Sequence, residues 1–200
     1  MPTDDNAGDG VAGRREPSQI RRTPPRAGAW VTAAALLAAG CGTDTVGQAP
    51  EGWGTLRTPA VTVAHPPAFV PQSDAQRSKH NAAAATLTAG GRAVGMITVQ
   101  LDFTEADSAE EAAIAAEAGI ALGSKLQGQR EIRVKGPKGE EEARRVDFEF
   151  TQQGARIRGV IVAGLDARDT AYAVRIDAAE GRLADGDLKR IIDSITVMKR

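Results

Sequence analysis

The chain reads as an α+β domain in which an antiparallel sheet is flanked by helices. Three observations predict this class. Four segments between Gln129 and Asp177 alternate apolar and polar residues and are separated by short turn-like spacers, the pattern of an antiparallel meander. Leu188, Ile191, Ile192 and Ile195 stand at i, i+3, i+4 and i+7, the period of an amphipathic helix. Ser108-Ala-Glu-Glu111 has the spacing of a capping box, in which a hydroxyl and a carboxylate satisfy amide groups at a helix start.

Length and charge bound the rest. Two hundred residues suffice for one ordinary domain once an N-terminal address segment is set aside. Residues 41–200 carry 20 basic against 22 acidic side chains, a balance that argues against a nucleic-acid binder, which needs a net basic face. The chain has one cysteine, so it builds no internal disulfide framework and no thiolate metal site by itself.

Residues 1–40 read as a lipoprotein signal peptide with a long n-region. Met1 to Gln19 are polar and lack a hydrophobic period, so they are expected to be disordered. Arg21, Arg22 and Arg26 then precede the uncharged run from Ala29 to Ala39. That run is shorter than the roughly 20 residues of a membrane-spanning helix, which makes the profile that of an export signal. Ala38-Ala39-Gly40 place small side chains directly before Cys41, and the segment resembles the bacterial lipobox, with Ala38 where that pattern prefers Leu. The resemblance implies cleavage between Gly40 and Cys41 and acylation of the Cys41 thiol. The competing reading makes Ala29 to Ala39 a core helix and Cys41 a small hydrophobe. The Arg21-Arg22 pair also fits twin-arginine export, although Thr23-Pro24-Pro25 lacks its usual apolar residues, and initiation nearer Val11 would equally explain the long n-region. Two acyl chains, at about 0.8 kcal/mol per buried methylene, would hold Cys41 on the outer face of the cell membrane. Residues 41–52 then form a tether spanning at most about 35 Å, and 53–200 the folded domain.

Within that domain, Thr58 to His65 alternates as a strand and is closed by Pro66-Pro67, with Trp53 packing at its start. Pro71 to Lys79 is turn material. Asn81 to Ala89 and Ala93 to Phe103 flank Gly90-Gly91, a hairpin turn that needs positive φ. A helix follows Ser108 to about Leu122, burying alanines with Ile114, Ile120 and Leu122. The strands of the meander are Gln129 to Lys135, Ala143 to Thr151, Arg156 to Gly164 and Thr170 to Asp177. Val146, Phe148 and Phe150 share one face of their strand, and Arg145, Asp147 and Glu149 share the other. The closing helix spans Asp185 to Ile195, its acidic start suiting the helix dipole.

From Thr58 to Met198 this order resembles the PsbP-like α-β-α sandwich, shared by the photosystem II PsbP protein, a nuclear Ran-release factor and actinobacterial LpqN-type lipoproteins. The resemblance rests on the strand ending in Pro66-Pro67, the helix opened by Ser108, the hairpin of Ala143–Thr151 with Arg156–Gly164, and the closing helix through Ser194. The chain departs from the pattern in Pro67-Ala68-Phe69, where relatives carry an aromatic after the proline, and in its alanine-rich first helix.

A search for chemistry finds no Gly-x-Ser-x-Gly elbow, phosphate loop or His-Glu-x-x-His helix. Gly136-Pro-Lys-Gly139 lacks the Lys-Ser/Thr ending of a phosphate loop and reads as a hairpin turn. His65 and His80 have no acidic or thiol neighbour at ligand spacing and read as surface or turn residues. Glu140-Glu141-Glu142 reads as a solvated hairpin edge. Arg144, Arg145, Arg156 and Arg158 flank one tight turn and are either a basic spot for lipid headgroups or an acidic partner, or a set of cross-strand ion pairs. No catalytic residue, metal or cofactor is expected. The function expected is that of a membrane-anchored extracytoplasmic binding or assembly module with an unknown protein partner. The alternative is a carrier of a cell-envelope lipid or small hydrophobic ligand, motivated by volume left beside an alanine-rich helix.

Overall fold

The computed structural model describes residues 49–120 and 122–199; Gly40, Cys41, the rest of the leader and most of the expected tether lie outside the described residues. In chain order the elements are β1 (Gly54–Arg57), β2 (Val61–His65), β3 (Phe69–Pro71), β4 (Ala83–Ala89), β5 (Arg92–Leu101), α1 (Ala109–Glu117), β6 (Lys125–Gly136), β7 (Gly139–Gln152), β8 (Ala155–Leu165), β9 (Ala171–Ala179), α2 (Asp185–Asp193) and β10 (Thr196–Val197).

The predicted hairpin and meander both form. β4 and β5 pair across Gly90-Gly91, whose φ values of 58° and 74° give the turn the twist that a two-residue hairpin favours. β6 to β9 are consecutive antiparallel neighbours, and β5 joins the free side of β9 with Ile97 opposite Ile176 and Val99 opposite Val174. Alternation therefore sets which side chains share a face, and the short turns set the register.

The predicted helix-flanked sandwich is corrected. One ten-stranded sheet, in the order β1-β2-β10-β6-β7-β8-β9-β5-β4-β3, curls until β1 lies against β4 and becomes nearly closed and barrel-like. Strands hold 51% of the described structure, against two helices of nine residues each, so helices form no layer on either side. Two causes are visible. Segments too short to show an alternating pattern, β1, β3 and β10, extend the sheet by pairing with longer neighbours. The twist of a long sheet then brings its ends together, which buries apolar residues without a covering helix layer.

The main core lies on the inner face. Val61 and Val63 of β2 belong to one buried cluster with Ile97 and Val99 of β5 and Val162 and Val174 of β8 and β9, although β2 is separated from those three neighbouring strands by β10, β6 and β7 in the sheet. Each such side chain contributes about 1.5–3 kcal/mol when withdrawn from water. Helix α2 adds Ile191 and Ile192 to this cluster. Its end is tied to β2 by Ser194, whose hydroxyl donates to the Ile191 carbonyl (2.6 Å) and accepts the Ala64 N–H (2.8 Å).

Helix α1 covers part of the opposite face. The Ser108 hydroxyl accepts the Glu111 N–H (3.2 Å), and the Glu111 carboxylate accepts the Asp107 N–H (2.8 Å), one residue before the position a capping box would use. Ala112, Ala113 and Ala116 pack with Val146, Phe148, Ile161, Ala163 and Ala173 in a second cluster. The helix stops at Glu117 rather than near Leu122, and Ile114 and Leu122 are exposed instead of buried. Small side chains let α1 approach closely, and a short helix then suffices.

Candidate functional site

A cleft of about 460 Å³ opens where the inner face of the meander meets α2. Its floor follows from the two-residue period of the strands. Asp147 stands opposite Val160, and Val160 opposite Ile176, so the polar face predicted for β7 shares a side with apolar residues of β8 and β9. Leu183, Asp185 and Leu188, in and just before α2, form the facing wall. The remaining border is β6 itself, through Gln127, Gly128, Gln129 and Arg130.

Charge in the cleft is largely internally matched. The Arg145 Nε lies 2.9 Å and 3.0 Å from the two Asp147 oxygens, and Arg130 reaches the same carboxylate at 3.5 Å. Arg158 pairs with Asp185 at 3.0 Å, and Arg156 with Glu180 at 3.7 Å. These last two pairs are more than half exposed and contribute little to stability, but they hold charged groups at the cleft rim. Glu149 stands across from Arg158 and Lys125 in the strand register and forms no ion pair among the described residues.

The four arginines singled out from sequence do not gather into one cluster. Arg145, Arg156 and Arg158 belong to the cleft side, whereas Arg144 stands opposite Ala163 on the α1 side and reaches Glu110 at 3.4 Å. Each of the four has an acidic partner within 4 Å. Cys41 and Gly40 lie outside the described residues. Gly136 pairs with Gly139 across Pro137-Lys138, a two-residue hairpin turn. Glu140 and Glu142 are exposed, while Glu141 folds over Gly136.

His80 is exposed, as expected of a turn residue, but His65 is buried at the end of β2. Its ring covers Gly54, where any side chain would collide with it, and its Nδ1 lies 3.0 Å from the Pro66 carbonyl oxygen. The Tyr172 phenol is fully buried in the main core, where burial first and the Glu141 charge second push its ionisation well above the ordinary range.

Sequence reasoning missed the role of Lys125 to Gly128, which it left outside the strands. Gly128 lies at a register shift between β6 and β7, and that irregularity hides the alternation. It also missed a polar group on the α1 side. Arg175 lies over the Phe148 ring (5.1 Å from its centroid) and the Phe150 ring (6.0 Å), bonds Asp177 at 2.8 Å and donates to the Gly119 carbonyl at 3.3 Å. Arg175 and Asp177 flanking Ile176 in a strand was the available signal, yet it reads as a solvated face until α1 is placed.

No family model matches the chain, and no curated protein does. Among solved structures the chain is similar to a protein from Bacteroides thetaiotaomicron VPI-5482, with 8% identity and a TM-score of 0.42 over 70% of this chain and 46% of that one. The chain thus spans about half the length of that structure. It is also similar to a protein of unknown function from Pseudomonas aeruginosa, with 14% identity and a TM-score of 0.33 over 68% of this chain and 86% of that one. Likenesses this distant assign no activity.

Proposed function

We propose that the protein is a lipid-anchored module on the extracytoplasmic face of the cell membrane, acting by binding rather than catalysis. The observation that carries the binding half is the cleft between α2 and the inner sheet face, in which apolar Val160, Ile176 and Leu188 lie beside charged side chains already matched in pairs. Matched charges suit recognition, because they orient a polar partner without being consumed by a reaction. The same charges disfavour a cleft filled by an acyl chain, which would strip water from Asp147, Glu149 and Arg158 without replacing it. The anchoring half is supported by the lipobox-like Ala38-Ala39-Gly40-Cys41 that follows Arg21, Arg22 and the uncharged run from Ala29 to Ala39.

Two measurements test the reading. Metabolic labelling with a fatty acid is expected to mark the native chain and not the Cys41→Ser variant; label on that variant would defeat the anchor. A photo-crosslinking residue placed at Gln127, an exposed position on the cleft, is expected to capture one reproducible protein in cells. Capture of lipid alone would favour the carrier, and no capture from the cleft would remove it as the binding site.

A further inference from the structure

We propose that the cleft takes an extended polypeptide as an added strand along the free edge of β6, a segment carrying lysine or arginine two residues from an apolar side chain. This rests on the reading of the protein as a binding module. β6 pairs with β7 along its whole length, from Lys125 to Gly136. On its other edge it meets β10 at one position, Lys135 opposite Thr196, with the Lys135 N–H bonded to the Ile195 carbonyl at 3.3 Å. From Leu126 to Arg133 that edge has no strand beside it among the described residues.

This edge is a wall of the cleft. Gln127, Gly128, Gln129 and Arg130 all line it, yet successive side chains of a strand point to opposite faces. The register shift between Leu126 and Gly128 breaks that alternation at Gln127, and the main chain of this stretch borders the space; the N–H and C=O groups on its edge away from β7 are the donors and acceptors that a new strand would use. Gly128 leaves the approach clear, with open space where a Cβ would stand. Arg130, Glu131 and Arg133 place charge along the edge, which suppresses indiscriminate strand pairing and leaves selection to the cleft.

The side chains select the chemistry. A strand beside β6 sends every second residue into the cleft. There Asp147 is paired with Arg145 and Arg130, Glu180 with Arg156 and Asp185 with Arg158, which leaves Glu149 as the lining acid without an ion pair among the described residues. Val160, Ile176, Leu183 and Leu188 offer the apolar surface next to it. A basic residue meets Glu149, and an apolar residue two positions away meets the wall formed with α2.

The test pans a random-peptide library against the full chain carrying Cys41→Ser. Enriched peptides are expected to show lysine or arginine and an apolar residue at spacing two. In the tightest of them, N-methylation of alternate amides should weaken binding about tenfold or more for one parity, and less than about twofold for the other. Glu149→Lys should weaken the same peptide about tenfold, and bound peptide should slow hydrogen exchange between Gln127 and Arg133. N-methylation leaves the protein untouched, so it remains decisive if the variant misfolds. Absence of enrichment, or a binder indifferent to methylation parity, overturns strand addition. Crosslinking from Gln127 reads separately: a protein still captured there leaves the binding module standing with another mode of docking, and no capture removes both.

Discussion

Asp177 and Gly159 stand opposite each other on β9 and β8, and each illustrates what a single position costs. Burial pushes the Asp177 carboxyl above its ordinary range, and the Arg175 guanidinium opposes this only in part. The folded state therefore keeps a proton where the unfolded chain has lost it. Stability falls as pH rises from the ordinary carboxylate value, about 4, through the raised folded value, and is level above it. Asp177→Asn removes that dependence. Urea titrations across this range are expected to show the variant gaining on the native chain as pH rises, and a constant or falling difference would contradict the assignment. Gly159 is required by packing, since a Cβ there would overlap the Phe148 ring that Arg175 holds from the same side of the sheet. Gly159→Ala should cost about 1–3 kcal/mol, with Phe148→Leu in the same chain recovering part of it; purely additive losses would show that the two positions are not coupled. The sequence displays both residues, but not the ring over one or the burial of the other.

Helix α1 is short and depends on its cap and on close approach. Ser108→Ala should destabilise the protein by about 1 kcal/mol in chemical denaturation, because the Glu111 N–H loses its acceptor. Ala113→Leu should cost about 1–3 kcal/mol, since the fully buried Ala113 packs in the cluster containing Ile161 and Ala163 and has no room for a larger side chain. An Ala113→Leu chain as stable as the native one would mean that α1 can ride away from the sheet. The start of α1 was legible in the Ser108 spacing, and α2 in the period of Leu188, Ile191, Ile192 and Ile195. The end of α1 was not, because an alanine run carries no stripe to show where burial ceases. Nor were β1 and β3, each too short for alternation to stand out.

At the scale of the molecule, closure depends on β10. Its two residues join β2 to β6, and among the described strands no other pairing links those parts of the sheet. Deleting residues 196–200 should lower the unfolding midpoint and promote association through the exposed β2 edge, measured by thermal melting and light scattering. A monomer melting as the native chain does would show that α2 alone closes the sheet. The candidate site has the same origin: among the described residues, β10 covers the edge of β6 away from β7 only near Lys135, and Asp147, Glu149 and Arg158 border the space beside the uncovered part. The predicted polar face of β7 identified Asp147 and Glu149 as a pair on one side, but not the main-chain edge beside them. By itself the sequence determined the strands of the meander apart from the start of β6, the hairpin at Gly90-Gly91, both helix starts and the two faces of β5, β7 and β9, because alternation, capping and turn chemistry are local. Only the tertiary structure decided that the sheet curls on itself instead of lying between helices, and that a cleft opens along β6. Those outcomes depend on pairings between segments far apart in the chain, and on twist summed over ten strands, which no local pattern records.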